Sequence, residues 1–144
     1  YTNLNTLSLH DALPICKFMR HQNHNLSFKL TKNQRLLNSH QFKQVFDACD
    51  KKIHSENLLV FIKENSTDNC RLGMAITKKK LKNATDRNRL KRLIREYFRL
   101  NQYCICGIDI VVIVKQKYDK KINIHDQLSQ LFSKIIQHYP NKDN

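Results

Sequence analysis

The stretch "TDRNRLKRLIREYFRL", residues 85–100, decides how this chain is read. It holds six basic side chains, Arg87, Arg89, Lys91, Arg92, Arg95 and Arg99, against two acids, Asp86 and Glu96. At roughly 100° per residue, the step of an α-helix, Leu90, Leu93, Ile94, Tyr97 and Phe98 gather in one arc. Lys91, Arg95, Arg99, Arg92 and Arg89 gather in the opposite arc, with Asn88 among them. Apolar residues at this period mark a helix with a core-facing stripe. Arg87 falls at the edge of the basic arc, beside the helix N-terminus, where backbone N–H groups add to an anion site.

The basic arc is not an ordinary solvated face. Solvated helices intersperse Glu with Lys at i,i+4, which relieves repulsion. Residues 78–99 instead carry ten basic and two acidic side chains. Most of the helix's cations are arginine, whose planar fork suits bidentate contact with phosphate. The arc therefore reads as a phosphate-binding face. Membrane binding would need apolar side chains free to insert, and here the core claims them. That leaves nucleic acid, and charge does not choose between RNA and DNA.

Composition agrees. The chain has 144 residues, 40% of them hydrophobic, which suits one domain with a modest core. Its net charge of +14 attracts polyanions. No apolar run is long enough to span a bilayer. Five cysteines, Cys16, Cys49, Cys70, Cys104 and Cys106, are odd in number and irregular in spacing, which points to a reducing, cytoplasmic setting without a metal knuckle. Cys49 continues an apolar helical stripe and is expected to be a core thiol. Seven scattered histidines form no nucleophile or metal spacing. Twelve acids, none clustered, leave little for a metal-dependent nuclease. Catalytic residues are expected to be absent.

Outward from the helix, the pattern is α-β-β-α-β-α with a further short strand around Lys51–Ser55. Residues 1–18 differ in composition from the rest, and "SLHDALPI" resembles translated sequencing-adapter sequence. They are set aside as foreign, with Met19 as the expected initiator. Residues 19–38 read as a flexible basic arm, 39–140 as a single nucleic-acid-binding α/β domain, and 141–144 as a frayed tail. Ser39 is the expected N-cap of a short helix bearing Phe42, Val45, Phe46 and Cys49. "NLLVFIKEN" and "CRLGMAIT" are strands, and "GIDIVVIVK" is apolar enough to be central. On "RLGMAIT", Leu72, Met74 and Ile76 share one face; Gly73, Ala75 and Thr77 form a small, smooth opposite face. Asn83 is expected to cap the basic helix, from about Ala84 to Asn101, with Asp86 at its third position. Asn123 is expected to cap a last helix with Ile124, Leu128, Leu131, Phe132, Ile135, Ile136 and Tyr139 on one stripe. The whole is an α+β fold, a two-layer α/β sandwich. "LLVFI" is apolar on both faces, so the first helix must fill the second face in part. Phe42, Phe46 and Phe61 are either core residues or a stacking surface for single-stranded nucleic acid.

At "RNRLKRLIRE" the chain resembles the bacterial ribonuclease P protein component, whose hallmark is an Arg-Asn-Arg run opening its central helix. The likeness extends from about Gln34 to Tyr139 and includes "QRLLNSHQF", "RLGMAITKKK" and "DIVVIVK" in order. The resemblance implies a ribosomal-protein-like sandwich with a left-handed β-α-β crossover, although the general rule favours the right-handed form. It implies a cofactor of a catalytic RNA that removes the 5′ leader of precursor tRNA, using Mg²⁺ held by the RNA. It assigns Arg87, Asn88, Arg89, Lys91, Arg92, Arg95 and Arg99 to the catalytic RNA. It assigns Phe42, Phe46, Leu59, Phe61, Ala75, Thr77, Lys78 and Lys79 to the leader, with Lys78 and Lys80 able to serve either surface. Neither a membrane nor a small-molecule substrate is expected. A general RNA- or ribosome-binding protein, and more remotely a DNA-binding protein, are the rival readings.

Overall fold

The computed structural model describes residues 29–119 and 122–141. Three helices, α1 (Ser39–Asp47), α2 (Ala84–Asn101) and α3 (Ile124–His138), accompany four strands. The strands are β1 (Lys51–His54), β2 (Leu58–Glu64), β3 (Arg71–Ala75) and β4 (Ile108–Val114). They form one sheet in the order β1-β2-β4-β3. β2 pairs antiparallel with both β1 and β4, and β3 pairs parallel to β4. A parallel pair needs a crossover, and α2 supplies it. β4 is central, as its near-continuous apolar run requires, and six of its seven residues are buried.

Period-two alternation sorts the sheet into two faces. Val60, Ile62, Leu72, Ile110 and Val112 face α2 and α3 and join Leu90, Ile94, Tyr97, Phe98, Leu128 and Phe132 in the main core. Val111 lies on the other face, in a smaller cluster with Leu36 and Val45, flanked by half-buried Phe42, Phe61, Ala75 and Ile113. Thus α1 covers the second face, and only in part.

Local chemistry sets the ends of the elements. Asn38, not Ser39, caps α1: its side chain accepts from Gln41 N at 2.9 Å, and the Gln41 side chain returns to Leu37 and Asn38. The cap falls one residue early because Gln41 completes a reciprocal box only with Asn38. Helix α1 stops at Asp47, so Cys49 leaves the stripe and is half-buried rather than a core thiol. The chain must turn there to enter the sheet, where Asp50 N donates to Ile62 O and Asp50 Oδ2 accepts from Glu64 N. Cys70 is a buried thiol, and burial pushes its pKa up to about 12.

Asn83 precedes α2 as expected, but its side chain donates to Asp86 Oδ2 at 3.2 Å and caps no backbone N–H. Asn123 does cap α3, accepting from Asp126 N. Gly107 turns the chain into β4 at φ +66°, a conformation costly to any residue with a Cβ. Arg71 clasps the buried Asp109 carboxylate through two bonds of 2.8 and 2.6 Å, which ties β3 to β4.

Within the expected arm, Lys32–Gln34 form a 3₁₀ turn, and Arg35 and Leu36 run along β3. There Leu36 N donates to Leu72 O at 2.9 Å. This strap carries no sequence pattern, because a single bridge has no period. The expectations for residues 1–28 lie outside the described residues, as does most of the tail.

Candidate RNA-binding surfaces

Helix α2 realises the two arcs. Leu90, Ile94, Tyr97 and Phe98 are buried, while Asn88, Arg89, Arg92 and Arg95 are exposed and Lys91 is half-buried. The two outermost members differ. The Arg87 guanidinium donates to the carbonyls of Leu81 and Lys82, each at 2.8 Å. It braces the loop that leads into the helix. Arg99 is ion-paired with Glu96, one turn back, and that carboxylate raises its pKa. Spacing alone groups both with the exposed cations; the local partners set them apart.

The second surface lies on the other side of the sheet. Helix α1 and β3 flank an open trough lined by Ser39, Phe42, Lys43, Phe46, Asp47, Met74 and Ala75. Phe46 is 37% exposed, and its ring meets Phe61 edge-on at 5.0 Å. Lys52 holds its ammonium 5.4 Å from the Phe61 ring centre. Leu59 shares the Phe61 face of β2, opposite Ile113. Thr77, Lys78 and Lys79 are exposed in the turn after β3, beyond the residues lining the trough, and Lys80 is half-buried there. The small face of β3 is only partly open. A Cβ on Gly73 would meet Phe42 at 2.7 Å and Leu36 at 2.9 Å, so the Phe42 ring occupies that space. Ala75 remains at the trough.

Two lysines escaped the sequence reading. Lys43 follows Ser39 by four residues and precedes Asp47 by four, so helical period could have placed it in the trough. Lys52 could not be found this way. It lies beside Phe61 because of strand register, Lys52 opposite Phe61, which no local pattern fixes.

The two surfaces meet at the β3 edge. A second hollow there is lined by Arg35, Leu36, Phe42 and Gly73 together with Lys91 and Arg95 of α2. Among the described residues, no three His, Cys, Asp or Glu side chains converge to hold a metal ion. No described helix is long and apolar enough to cross a membrane.

A cationic helical face joined around a strand edge to a half-covered aromatic sheet face marks a nucleic-acid-binding α/β protein. The profile of the Ribonuclease P family matches residues 30–138. The ribonuclease P protein component of Pseudomonas entomophila is 38% identical over 117 residues, covering 80% of this chain and 88% of its own length. That of Pseudomonas aeruginosa is 40% identical over 115 residues, covering 78% and 85%. Among solved structures, the RNase P protein from Thermotoga maritima is similar at a TM-score of 0.59 and 32% identity, covering 72% of this chain and 96% of its own. The RNase P protein of Staphylococcus aureus gives 0.61 and 26%, covering 73% and 94%. The chain belongs to the family of ribonuclease P protein components. Its role is that of a tRNA-processing cofactor, and its partner in the complex is RNA.

Proposed function

We propose that this cofactor works through two surfaces with separate ligands. The exposed face of α2, with Asn88, Arg89, Lys91, Arg92 and Arg95, docks on the catalytic RNA through its phosphates. Arg87 holds the loop that presents the face, and Arg99 lies at its periphery. The trough holds the single-stranded 5′ leader of precursor tRNA. Phe46 and Phe61 offer rings for unstacked bases, while Lys43 and Lys52 neutralise phosphates beside them. Thr77, Lys78 and Lys79 extend this path beyond the trough.

Hydrolysis of the leader phosphodiester belongs to the RNA subunit. Mg²⁺ bound there, and not by this chain, supplies the metal-ion chemistry. The chain contributes charge and position: it offsets repulsion between two polyanions and holds the leader at a fixed place relative to the catalyst. The setting is the bacterial cytoplasm.

The observation that supports this reading most is the division of the molecule, with arginines exposed on one sheet side and aromatics half-exposed on the other. The deciding experiment is reconstitution. The full chain is mixed with a bacterial ribonuclease P RNA and labelled precursor tRNA at low Mg²⁺. Cleavage at the mature 5′ end is expected to rise, and leader-bearing tRNA is expected to bind more tightly than mature tRNA. No stimulation would overturn the reading.

A further inference from the structure

The hollow at the β3 edge draws its cations from two separate parts of the chain. It holds about 180 Å³, with Phe42, Gly73 and Met74 among its apolar walls. Lys91 and Arg95 reach it from successive turns of α2, and Arg35 reaches it from the strap. No acid stands among its lining residues. Among the described residues, none of the three cations has an ion pair or a side-chain hydrogen bond. Arg99, the next cation along α2 at this spacing, is matched by Glu96. Like charges four residues apart on a helix repel, so Lys91 and Arg95 gain from any anion placed between them.

The strap is fixed in place before any ligand arrives. Arg35 bridges to Leu72 of β3, its N–H donates to Lys32 O at 3.2 Å, and Leu36 N donates to Leu72 O at 2.9 Å. Gln34 Nε2 donates to Gln102 Oε1 at 2.6 Å, which ties the strap to the residue that follows α2. The backbone of Arg35 is therefore held to β3 directly and to α2 through its neighbour. Groups held in place beforehand lose less freedom on binding, and apolar walls strengthen their attraction for an anion. Three converging cations without a counter-charge suit a compact anion with several acceptor oxygens, which is a phosphate. An apolar cavity of roughly 150 Å³ takes one benzene ring, so the hollow has room for one phosphodiester group and not for a base pair.

We propose that the hollow seats one backbone phosphate of the catalytic RNA, held jointly by Arg35, Lys91 and Arg95. The proposal rests on the assignment of α2 as the dock for that RNA, and it carries the dock around the β3 edge onto the strap. Two of the three cations belong to the docking helix, which favours the catalyst over the leader as the source of the phosphate. Arg35 becomes an RNA-binding residue although it lies outside α2 and belongs to no helical pattern. Phe42 and Met74 line both the hollow and the trough. A phosphate seated in the hollow thus brings the catalyst's backbone to the end of the trough, beside the leader. The cations around it offset the repulsion between the two strands where they come closest.

The test measures binding of the full chain to a bacterial ribonuclease P RNA across a salt series, for Arg35→Ala, Arg95→Ala and the double variant. Arg35→Ala is expected to weaken binding about three- to tenfold, the range of one charged hydrogen bond at a part-open site, and to lower the slope of log affinity against log salt. Arg35→Lys keeps the charge and should keep most of the slope. The double variant should lower the slope by no more than about 0.7–0.9, the value for a single phosphate. Two separate phosphates would give about 1.4–1.8, and that result would overturn the shared seat. In the reconstituted complex, Arg35→Ala should leave the preference for leader-bearing over mature tRNA unchanged. Loss of that preference with catalytic-RNA affinity intact would give the hollow to the leader and overturn the proposal. Unchanged affinity and slope in Arg35→Ala would overturn it too, and impairment of Arg95→Ala alone would leave the dock standing on α2. Thermal unfolding establishes that each variant is folded, and Arg35→Gln replaces Arg35→Ala if that variant is not. Failure of the wild-type chain to bind the RNA at all is a different result. It removes the dock itself, and the phosphate seat with it.

Discussion

Beneath α2 and α3, Tyr97, Phe98 and Phe132 are wholly enclosed, whereas across the same sheet Phe42, Phe46 and Phe61 stay partly open. The strands supply apolar side chains to both faces, though more of them to the first. The faces differ in helix supply: two helices of 18 and 15 residues cover one, and a single helix of nine covers the other. An aromatic in an apolar pattern is therefore core or surface according to what lies above it, and the uncovered remainder is where a ligand can replace a helix.

The sharpest way to break this comparison is to truncate one ring on each side. Phe98→Ala should destabilise the fold by about 3–5 kcal/mol, the cost of emptying a closed core site. Phe46→Ala should cost less than about 1 kcal/mol, because solvent already reaches the ring. Equal losses in urea unfolding would mean that the two faces are packed alike. Gly73→Ala probes a tight place on the open side. Its Cβ would press on Phe42 and Leu36, so a loss of about 1–3 kcal/mol is expected. Adding Phe42→Ala in the same chain should recover part of it, and an additive double mutant would show that Phe42 does not fill that space.

A third contrast separates the ligands. Arg89→Ala should weaken binding to the catalytic RNA. Phe61→Ala should leave that affinity intact and reduce the preference for leader-bearing over mature tRNA several-fold, as loss of about 1 kcal/mol of stacking would. Loss of the same function in both variants, to the same degree, would merge the two surfaces into one. The smallest effect concerns His125, on the closed side. Its folded pKa lies below the ordinary value near 6.5, so the neutral form is the folded form. Stability from this group is present above pH 6.5 and falls as pH drops through the folded pKa. Replacing His125 with Asn should flatten that part of the pH profile of thermal unfolding, and an unaltered profile would place the proton elsewhere.

Much of this division is legible in the sequence. The 3.6-residue period of α2 separates the core arc from the cation arc, and alternation on β3 puts Gly73 and Ala75 on the lesser-covered face. Both are local periodicities, which one strand or helix expresses by itself. What stays hidden depends on distant partners. Arg87 and Arg99 look equal to Arg92 on a helical wheel, yet one braces carbonyls of the preceding loop and the other is matched by Glu96. Lys52 reaches Phe61 only through register, and the strap at Arg35 and Leu36 only through pairing with β3. Cys49 defeats the helical pattern because periodicity does not announce where a helix must stop to let the chain join a sheet.

The strap has a further consequence. A sheet with one apolar face partly uncovered is a hazard if its edges are also bare, since unpaired strand edges recruit other chains. Here β3 is an outer strand, and Arg35 and Leu36 run along it, with Leu36 N spending itself on Leu72 O. The other outer strand, β1, is four residues long and carries Lys51, Lys52 and His54. One margin is partly blocked by the chain itself, and the other is short and cationic. Two copies meeting edge to edge would repel at β1 and find Leu72 O already engaged at β3. The protein can thus keep a partly apolar face on display without that face seeding fibres or clumps.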